Sequence, residues 1–283
     1  MLRLFTLFLC ACTADRVEVS TYIYDARHGA GELDVHTLPD VSGAPAVVYI
    51  HGGGWRSGQR ENDAATADRL ARTGYVVVNI DYRLVPDGVF PLAVQDAFCA
   101  LAFVRAHATD LGVDPDRIAV MGHSAGAHLA ALVGVASDIT ELQDDGCPWG
   151  RTGPPIAVVS VAGPMDLRDL HDDVVADFVG VAYDTDPDRY ATASPITHVD
   201  AAEPPFLLVH SEHDLVVDVS QSEAMAATLR DAGNQARLLR LEGGGHILGD
   251  GPGLGLEELE LATDTPEAWM ALIDFLSRVG NAP

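Results

Sequence analysis

Short apolar stretches alternate along the chain with stretches in which apolar residues recur at helical spacing. Continuous apolar runs are typical of strands buried on both faces of a parallel sheet. Runs in which apolar and polar residues alternate are typical of half-exposed edge strands. The eight predicted strands lie at residues 17–24, 32–38, 46–50, 75–80, 118–121, 156–161, 206–210 and 236–241. Helices are predicted between them, among others at residues 62–72, 91–107, 219–231 and 266–279. This order predicts an α/β fold with a mostly parallel eight-stranded sheet flanked by helices.

One connection between predicted strands is much longer than the others. Residues 163–205 carry helical pieces and many aspartates, whereas loops in such sheets usually contain ~2–6 residues. We expect a small lid-like insertion here, over a site at the carboxyl ends of the strands. No internal repeat or linker interrupts the rest, so residues 13–283 are predicted to form a single domain.

The charge is strongly negative. The sequence has 42 acidic residues against 17 basic ones, a formal net charge of −25, and every basic residue is an arginine. Such a surface repels phosphates, so no nucleic-acid partner is expected. A biased genome or adaptation to a salty medium explains this charge more simply than a cationic partner does, and we assign it no catalytic role.

The N-terminal residues are similar to an export signal. One arginine precedes an apolar run that is too short to span a bilayer. Leu9-Cys10-Ala11-Cys12 resembles a bacterial lipobox, in which the last cysteine is lipidated. We expect residues 1–12 to be a leader, with a lipid anchor at Cys12 and an exported, membrane-anchored or periplasmic protein. A misassigned start codon or an apolar tail on a cytoplasmic protein is the alternative.

The remaining cysteines and the late histidines indicate no metal site. Cys99 and Cys147 show neither a regular disulfide framework nor zinc-ligand spacing, and whether they pair with each other stays open. His210 and His213 lack a third ligand at suitable spacing. We therefore expect neither a metal nor another cofactor.

The strongest chemical signal is Gly122-His123-Ser124-Ala125-Gly126, where an apolar run ends and an alanine-rich helix begins. This pattern is typical of a nucleophile elbow, in which a serine is held in a strained conformation and small neighbours let the chain reverse. The helix N-terminus directs unpaired amides toward a developing oxyanion. Ser124 is therefore the candidate nucleophile.

A second glycine-rich loop supports this interpretation. His51-Gly52-Gly53-Gly54-Trp55 follows the predicted strand at residues 46–50. Three glycines after a strand let backbone amides approach a ligand closely, and the loop matches the oxyanion loop of lipases and esterases.

A serine nucleophile needs a base, and the base needs an acid that fixes its tautomer. The chain order expected for such a site is serine, acid, histidine. His246 lies in a glycine-rich loop just after the last predicted strand. Asp214 follows the strand at residues 206–210 and is the favoured acid. Glu212 and Asp218 compete, although Asp218 is expected to cap the next helix.

Together these motifs resemble the α/β-hydrolase family, and within it the esterase and lipase branch related to hormone-sensitive lipase. The resemblance runs from about Ala46 to the C-terminus and also rests on Asp81-Tyr82-Arg83-Leu84 and on Phe90-Pro91 with Asp96. It implies an α/β-hydrolase fold, a catalytic triad and an oxyanion hole made of backbone amides. The matching positions are Ser124, Asp214 and His246 for the triad, and Gly52, Gly53 and Ala125 for the oxyanion hole.

The chain departs from that branch in two respects. The segment before the glycine loop is too short for a helical cap, and His123 stands where an acid usually precedes the serine. Both features make the chain more similar to compact acetyl-xylan and feruloyl-type esterases and to kynurenine formamidases.

Further side chains are candidates for roles near the site. We predict that Trp55 and His123 contact the substrate, with packing of Trp55 beneath the glycine loop as an equal alternative. His128 is expected to be a core or supporting histidine. We expect Asp81 and Arg83 to brace the loops through an ion pair.

The leading functional hypothesis is hydrolysis of small or short-chain carboxylic esters through an acyl-enzyme. Hydrolysis of an aryl formamide by the same triad is the alternative. A non-enzymatic protein of this fold would have a broken triad, whereas all three residues are present here. Long acyl chains would find too little apolar surface to bury, so activity on long-chain lipids is not expected.

Overall fold

The computed structural model of the protein describes residues 16–246 and 265–280. The predicted leader, with Cys10 and Cys12, lies outside the described residues, so its export role stays a prediction. None of the described helices is both long and apolar enough to cross a bilayer.

Eight strands form one sheet in the described part of the chain. They are β1 (Glu18–Ile23), β2 (Glu32–Thr37), β3 (Ala44–Ile50), β4 (Val76–Ile80), β5 (Val113–His123), β6 (Val158–Val161), β7 (Phe206–Ser211) and β8 (Ala236–Leu241). Their spatial order is β1-β2-β4-β3-β5-β6-β7-β8. β2 pairs antiparallel with β1 and β4, and the other neighbours pair in parallel. The predicted mostly parallel eight-stranded sheet is confirmed.

Helices cover both faces of this sheet. They are α1 (Ala64–Ala71), α2 (Leu92–Ala106), α3 (Ala125–Val135), α4 (Asp173–Val179), α5 (Pro187–Thr192), α6 (Ser220–Asp231) and α7 (Pro266–Gly280). Successive side chains of a strand point to opposite faces. Val47 of β3 accordingly belongs to a buried cluster with Leu70 of α1 and Leu272 of α7. Its neighbour Val48 belongs to the cluster on the other face, with Leu101 of α2.

The long connection between β6 and β7 contains α4, α5 and two short 3₁₀ segments, Leu167–Asp169 and Pro195–His198. Phe178 of α4 stacks on Trp55 of the glycine loop at 4.4 Å between ring centroids. Arg56 of the same loop donates a hydrogen bond to Asp177 at 2.5 Å. This segment therefore packs against the glycine loop.

Cys99 of α2 and Cys147 form a disulfide, which answers the question that their spacing leaves open. Both residues are buried, and the bridge ties the acidic loop after α3 to α2 across 48 residues of sequence. Disulfides between buried cysteines persist mainly in proteins of oxidising compartments.

Candidate active site

Ser124 occupies a sharp turn between β5, which ends at His123, and α3, which begins at Ala125. Its backbone has φ 52° and ψ −124°, a conformation that costs energy in any residue with a side chain. The Ser124 N–H donates to the carbonyl of Val161 at 2.8 Å, and the Ser124 carbonyl accepts from the amide of His128 at 3.1 Å. The strained turn expected of a nucleophile elbow is therefore present and fixed on both sides.

The two glycines of the elbow have no room for a side chain. A Cβ at Gly122 would lie 2.4 Å from the carbonyl carbon of Gly126. A Cβ at Gly126 would lie 2.0 Å from the carbonyl oxygen of Ile50 in β3. Close packing of α3 against its own turn and against the neighbouring strand therefore requires glycine at both positions.

The structure brings Ser124, His246 and Asp214 into one chain of hydrogen bonds. His246 Nε2 lies 2.8 Å from Ser124 Oγ, and His246 Nδ1 lies 2.7 Å from Asp214 Oδ2. Because a carboxylate only accepts, Nδ1 carries the proton and Nε2 is free to accept the serine proton. This is the geometry and tautomer that nucleophilic catalysis by a serine needs.

The two competing acids are engaged elsewhere. Asp218 Oδ1 accepts a hydrogen bond from the amide of Ser220, at the start of α6, at 2.9 Å. Glu212 forms an ion pair with Arg240 at 3.3 Å. Of the three candidate acids, the structure places Asp214 against the imidazole of His246.

The Asp214 carboxylate is buried and has four hydrogen-bond donors around it. Its Oδ1 accepts from the amides of Val216 at 2.8 Å and Val217 at 2.9 Å. Its Oδ2 faces His246 and also lies 3.2 Å from His210 Nε2. Burial alone would raise the pKa of Asp214, but the hydrogen bonds from His210 and His246 hold it well below its usual range. Asp214 is therefore an anion at physiological pH.

His210 is a site residue that the sequence reasoning did not assign. Its Nε2 lies 2.9 Å from the carbonyl of Val217 and faces Asp214, and both partners only accept, so this nitrogen carries the proton. Its Nδ1 then accepts from the hydroxyl of Ser222 at 2.7 Å. The available signal was a histidine at the end of an otherwise apolar strand, four residues before the acid.

The predicted oxyanion residues lie at two loop ends beside the serine. Ala125 is the first residue of α3, so its amide has no acceptor within the helix. Gly52 and Gly53 follow β3 directly. Gly53 has φ 113°, and a Cβ there would lie 2.1 Å from the carbonyl oxygen of Ser57. The position therefore requires glycine, while the role of these three amides in binding an oxyanion stays a prediction.

The glycine loop is anchored by its histidine. His51 Nδ1 donates to the carbonyl of Gly52 at 2.7 Å. The His51 ring stacks on Tyr82 at 4.3 Å, and the Tyr82 hydroxyl donates to the His51 carbonyl at 3.1 Å. Tyr82, from the motif after β4, thus holds the loop in place.

Asp81 and Arg83 brace loops through two separate ion pairs, so a single pair between them is the wrong expectation. The Arg83 guanidinium binds Asp96 of α2, with contacts of 2.6 and 2.9 Å. Asp81 pairs with Arg60 and also accepts from its amide at 2.7 Å.

Of the two predicted substrate-contacting residues, Trp55 packs into the protein interior. It is 3% exposed, stacks on Phe178, and meets His128 edge to face at 5.1 Å. This arrangement favours the alternative that Trp55 supports the glycine loop from beneath. His128 is fully buried and donates from Nε2 to the carbonyl of Ala193 at 2.7 Å, as expected of a core histidine.

His123, the other predicted contact, lines a cavity of about 250 Å³ together with Gly52 and Gly53. A Cβ at Gly52 would lie 2.4 Å from His123 Nε2, so the glycine loop passes directly over this ring. Burial, together with the neighbouring His246 and His51, lowers the pKa of His123 to about 3. His123 is therefore neutral at physiological pH.

Comparison with known proteins gives the family of the chain. A sequence profile of the BD-FAE family matches residues 33–229. Esterase LipC of Mycobacterium tuberculosis (strain H37Rv) is 34% identical over 256 residues, which cover 87% of this chain and 60% of LipC. The other leading curated relatives are covered over about half of their length, 50% each for Esterase LipQ and the probable carboxylic ester hydrolase LipM.

Solved structures share the fold. A thermophilic esterase from the planctomycete Thermogutta terrifontis has a TM-score of 0.74 at 25% identity, covering 93% of this chain and 92% of that one. A truncated carbohydrate esterase from gut microbiota has a TM-score of 0.78 at 23% identity, covering 93% and 97%. The chain belongs to the BD-FAE family of α/β-hydrolase esterases, with the α/β-hydrolase fold that its motifs imply.

Proposed function

We propose that this protein is a serine carboxylesterase that hydrolyses small or short-chain acyl esters through an acyl-enzyme. The observation that carries the proposal is the chain of hydrogen bonds from Ser124 through His246 to Asp214, at a strained elbow beside a glycine loop. Relatives named as esterases support the reaction class. The chain spans only part of the length of those relatives, so we infer its activity from the arrangement of its own residues.

In this mechanism His246 Nε2 takes the proton from Ser124 Oγ as the oxygen attacks the ester carbonyl. The resulting oxyanion is stabilised by the amides of Gly52, Gly53 and Ala125, which are fixed before the reaction and need no reorganisation. His246 then protonates the leaving alcohol. Water, deprotonated by the same imidazole, releases the acid and restores Ser124. Asp214 holds the imidazole in the required tautomer and stabilises its protonated form.

The test compares the wild-type protein with Ser124→Ala on p-nitrophenyl acetate, butyrate and decanoate, and on N-formylkynurenine. We expect kcat to fall ~10⁴–10⁶-fold in the variant, because the remaining oxyanion donors do not replace the covalent step. Unchanged thermal unfolding would show that the fold is intact. Undiminished hydrolysis by the variant would refute the role of Ser124.

The same panel addresses substrate class. We expect kcat/KM to be highest for acetyl and butyryl esters and lower for the decanoyl ester and for N-formylkynurenine. A preference for N-formylkynurenine would replace the ester hypothesis with C–N hydrolysis by the same triad. A preference for the decanoyl ester would mean that the insertion at residues 163–205 buries more acyl chain than we infer.

We also propose that the protein is exported and lipidated at Cys12. The lipobox-like sequence motivates this, and the disulfide between Cys99 and Cys147 supports an oxidising destination. Mass spectrometry of the protein from its native host tests it. A diacylglycerol-modified N-terminal Cys12 is the expected result, and an intact Met1 on cytoplasmic protein is the contrary one.

A further inference from the structure

The glycine loop is held at its far end by one side chain, that of Trp55. Gly53, Gly54 and Trp55 have φ of 113°, 61° and 56°, so three successive residues lie in the left-handed region. A tryptophan in that region is strained, and the conformation persists only where the surroundings impose it. The Trp55 side chain is buried, and its carbonyl accepts from the amide of Val85 at 2.8 Å. Because glycines have no side chain that could be packed, the packing of the Trp55 ring sets where this end of the loop lies.

Two rings from different parts of the fold contact the Trp55 indole. Phe178, of α4 in the insertion, stacks on it at 4.4 Å between ring centroids. His128, of α3, meets it edge to face at 5.1 Å, with an angle of 85° between the ring planes. His128 also meets Phe178 edge to face, at 5.3 Å and 89°. The imidazole is therefore nearly perpendicular to both members of the stacked pair.

His128 is also fixed relative to the nucleophile. It lies one helical turn after Ser124, and its amide donates to the Ser124 carbonyl at 3.1 Å. Every residue of α3 is buried, so the helix is held firmly in the core. Phe178, in contrast, belongs to the insertion between β6 and β7. Of the two rings on Trp55, the His128 ring is thus the one that relates the glycine loop to the nucleophile.

A histidine at this position carries a cost that an apolar side chain would not have. Its Nε2 donates to the carbonyl of Ala193 at 2.7 Å, which leaves Nδ1 as an acceptor. Nδ1 is buried and has no hydrogen-bond partner within residues 16–246 and 265–280, which is unfavourable. Burial outweighs the bond to Ala193 and lowers the pKa of the ring to about 4, so the ring is neutral at physiological pH. The histidine supplies orientation, because the bond to Ala193 fixes the plane of the ring that contacts Trp55.

We propose, on the basis of the esterase function above, that His128 is a positioning residue, which through Trp55 holds the amides of the glycine loop at the distance from Ser124 that oxyanion binding requires. An oxyanion hole works through donors that are fixed before the reaction. A displacement of those donors by ~1 Å weakens their hydrogen bonds to the oxyanion and leaves binding of the ground-state ester almost unaffected. His128 is fully buried, so it acts on the loop and not on the substrate.

The test compares p-nitrophenyl acetate with its thiono analogue, in which sulfur replaces the carbonyl oxygen. Sulfur accepts hydrogen bonds weakly, so the ratio of the two kcat/KM values reports how well the oxyanion donors are placed. The ratio is measured for the wild type, His128→Leu, His128→Gln and His107→Leu. His107 is the matched control, because its ring meets Trp149 edge to face at 4.5 Å and this tryptophan lies in the loop after α3. Urea unfolding of each variant measures stability separately.

We expect the wild type to favour the oxygen ester at least about tenfold, the range of one hydrogen bond to a charged group. His128→Leu should lower kcat/KM for the oxygen ester about 10–100-fold, somewhat less than the loss of a whole oxyanion donor. The thiono ester should lose much less, so the ratio falls. His128→Gln keeps an N–H for Ala193 and should recover much of the ratio, whereas His107→Leu should leave it at the wild-type value.

A second pair of variants tests whether His128 acts through Trp55. In a Trp55→Leu background, His128→Leu should change the ratio little further, because the contact that it removes is already lost. If His128→Leu does not fold, His128→Phe replaces it in both experiments, since it keeps a ring without an N–H.

The inference is wrong if the wild type cleaves the two esters equally, if the ratio in His128→Leu equals that of the wild type, or if His107→Leu changes the ratio as much. Additive effects of Trp55→Leu and His128→Leu would also contradict it. Each of these results can occur while the wild type hydrolyses p-nitrophenyl acetate, which would leave the esterase function standing. Failure of that function itself would instead show as no turnover of either ester and no labelling of Ser124 by a fluorophosphonate.

Discussion

Asp214 and Asp63 are both buried, and they differ in what surrounds them. Asp214, on the side of the base, has two backbone amides and two imidazoles directed at its oxygens. Asp63 accepts from the hydroxyl of Tyr49 through one oxygen, and its other oxygen has no hydrogen-bond partner in the part of the chain that the structure describes. The pKa of Asp214 is held well below its usual range, whereas that of Asp63 is raised to about 7.

Burial acts to raise the pKa of both carboxyls, so burial does not explain the difference between their pKa values. The difference comes from the hydrogen-bond donors that each loop supplies. The chain after β7 turns so that the amides of Val216 and Val217 point back at Asp214, which makes an anion stable there. The short 3₁₀ segment Arg60–Asp63, which precedes α1, supplies no such amides. Asp214 is thus held as an anion, whereas Asp63 can be protonated or ionised near neutral pH.

The largest expected effect is the loss of activity when the Asp214 carboxylate is removed. Asp214→Asn should lower kcat about 10⁴-fold, because an amide does not select the tautomer of His246 that can accept from Ser124. Steady-state kinetics on p-nitrophenyl acetate measures it. Asp218→Asn is the control, since the Asp218 carboxylate accepts from the amide of Ser220 at the start of α6 and its loss should change kcat little. Equal losses in the two variants would remove the special role of Asp214.

The second expected effect is on the stability of the protein and concerns Asp63. The pKa of Asp63 is about 7 in the folded protein against an ordinary 3.8, so its protonation favours the folded state. That contribution is fully present below pH 3.8, is lost as the pH rises toward 7, and amounts to at most about 4 kcal/mol. Asn does not ionise. Asp63→Asn should therefore stabilise the protein at pH 8 more than at pH 5, by roughly 2–3 kcal/mol.

Urea unfolding of the wild type, Asp63→Asn and Asp214→Asn at the two pH values measures this difference. Asp214 has a depressed pKa, so its stabilising contribution is present above its unfolded pKa and is lost only as the pH falls through its folded pKa. Asp214→Asn should accordingly destabilise the protein to a similar extent at pH 5 and pH 8. A gain for Asp63→Asn that does not depend on pH would mean that Asp63 is not buried as a titrating carboxyl.

The motifs that carry Ser124 and the contacts around Asp63 also differ in how far the sequence could predict them. Ser124 and the glycine loop come from local motifs whose geometry is built into a few adjacent residues, and the order of strands and helices follows from hydrophobic periodicity. The buried contacts around Asp63 join Tyr49, Asp63 and His123, which are far apart in sequence and have no shared motif. In the sequence Asp63 belongs to the first turn of a predicted helix, and only the fold shows that its side chain accepts no capping hydrogen bond from that helix. The pairing of Cys99 with Cys147 depends in the same way on how α2 meets the following loop.

The smallest expected effect concerns the donor that the sequence reasoning did not assign. His210 is fully buried, and its protonated Nε2 faces both Asp214 and the carbonyl of Val217. His210→Leu should lower kcat about 10–100-fold, the range for one hydrogen bond to a charged group. His210→Gln keeps an N–H donor and should recover part of that loss. The loss should fall on kcat rather than KM, since His210 acts on the base through Asp214 and touches no substrate. If both variants lost activity equally and in proportion to a lower unfolding temperature, His210 would only be filling space, and the low pKa of Asp214 would then rest on the amides of Val216 and Val217 with His246.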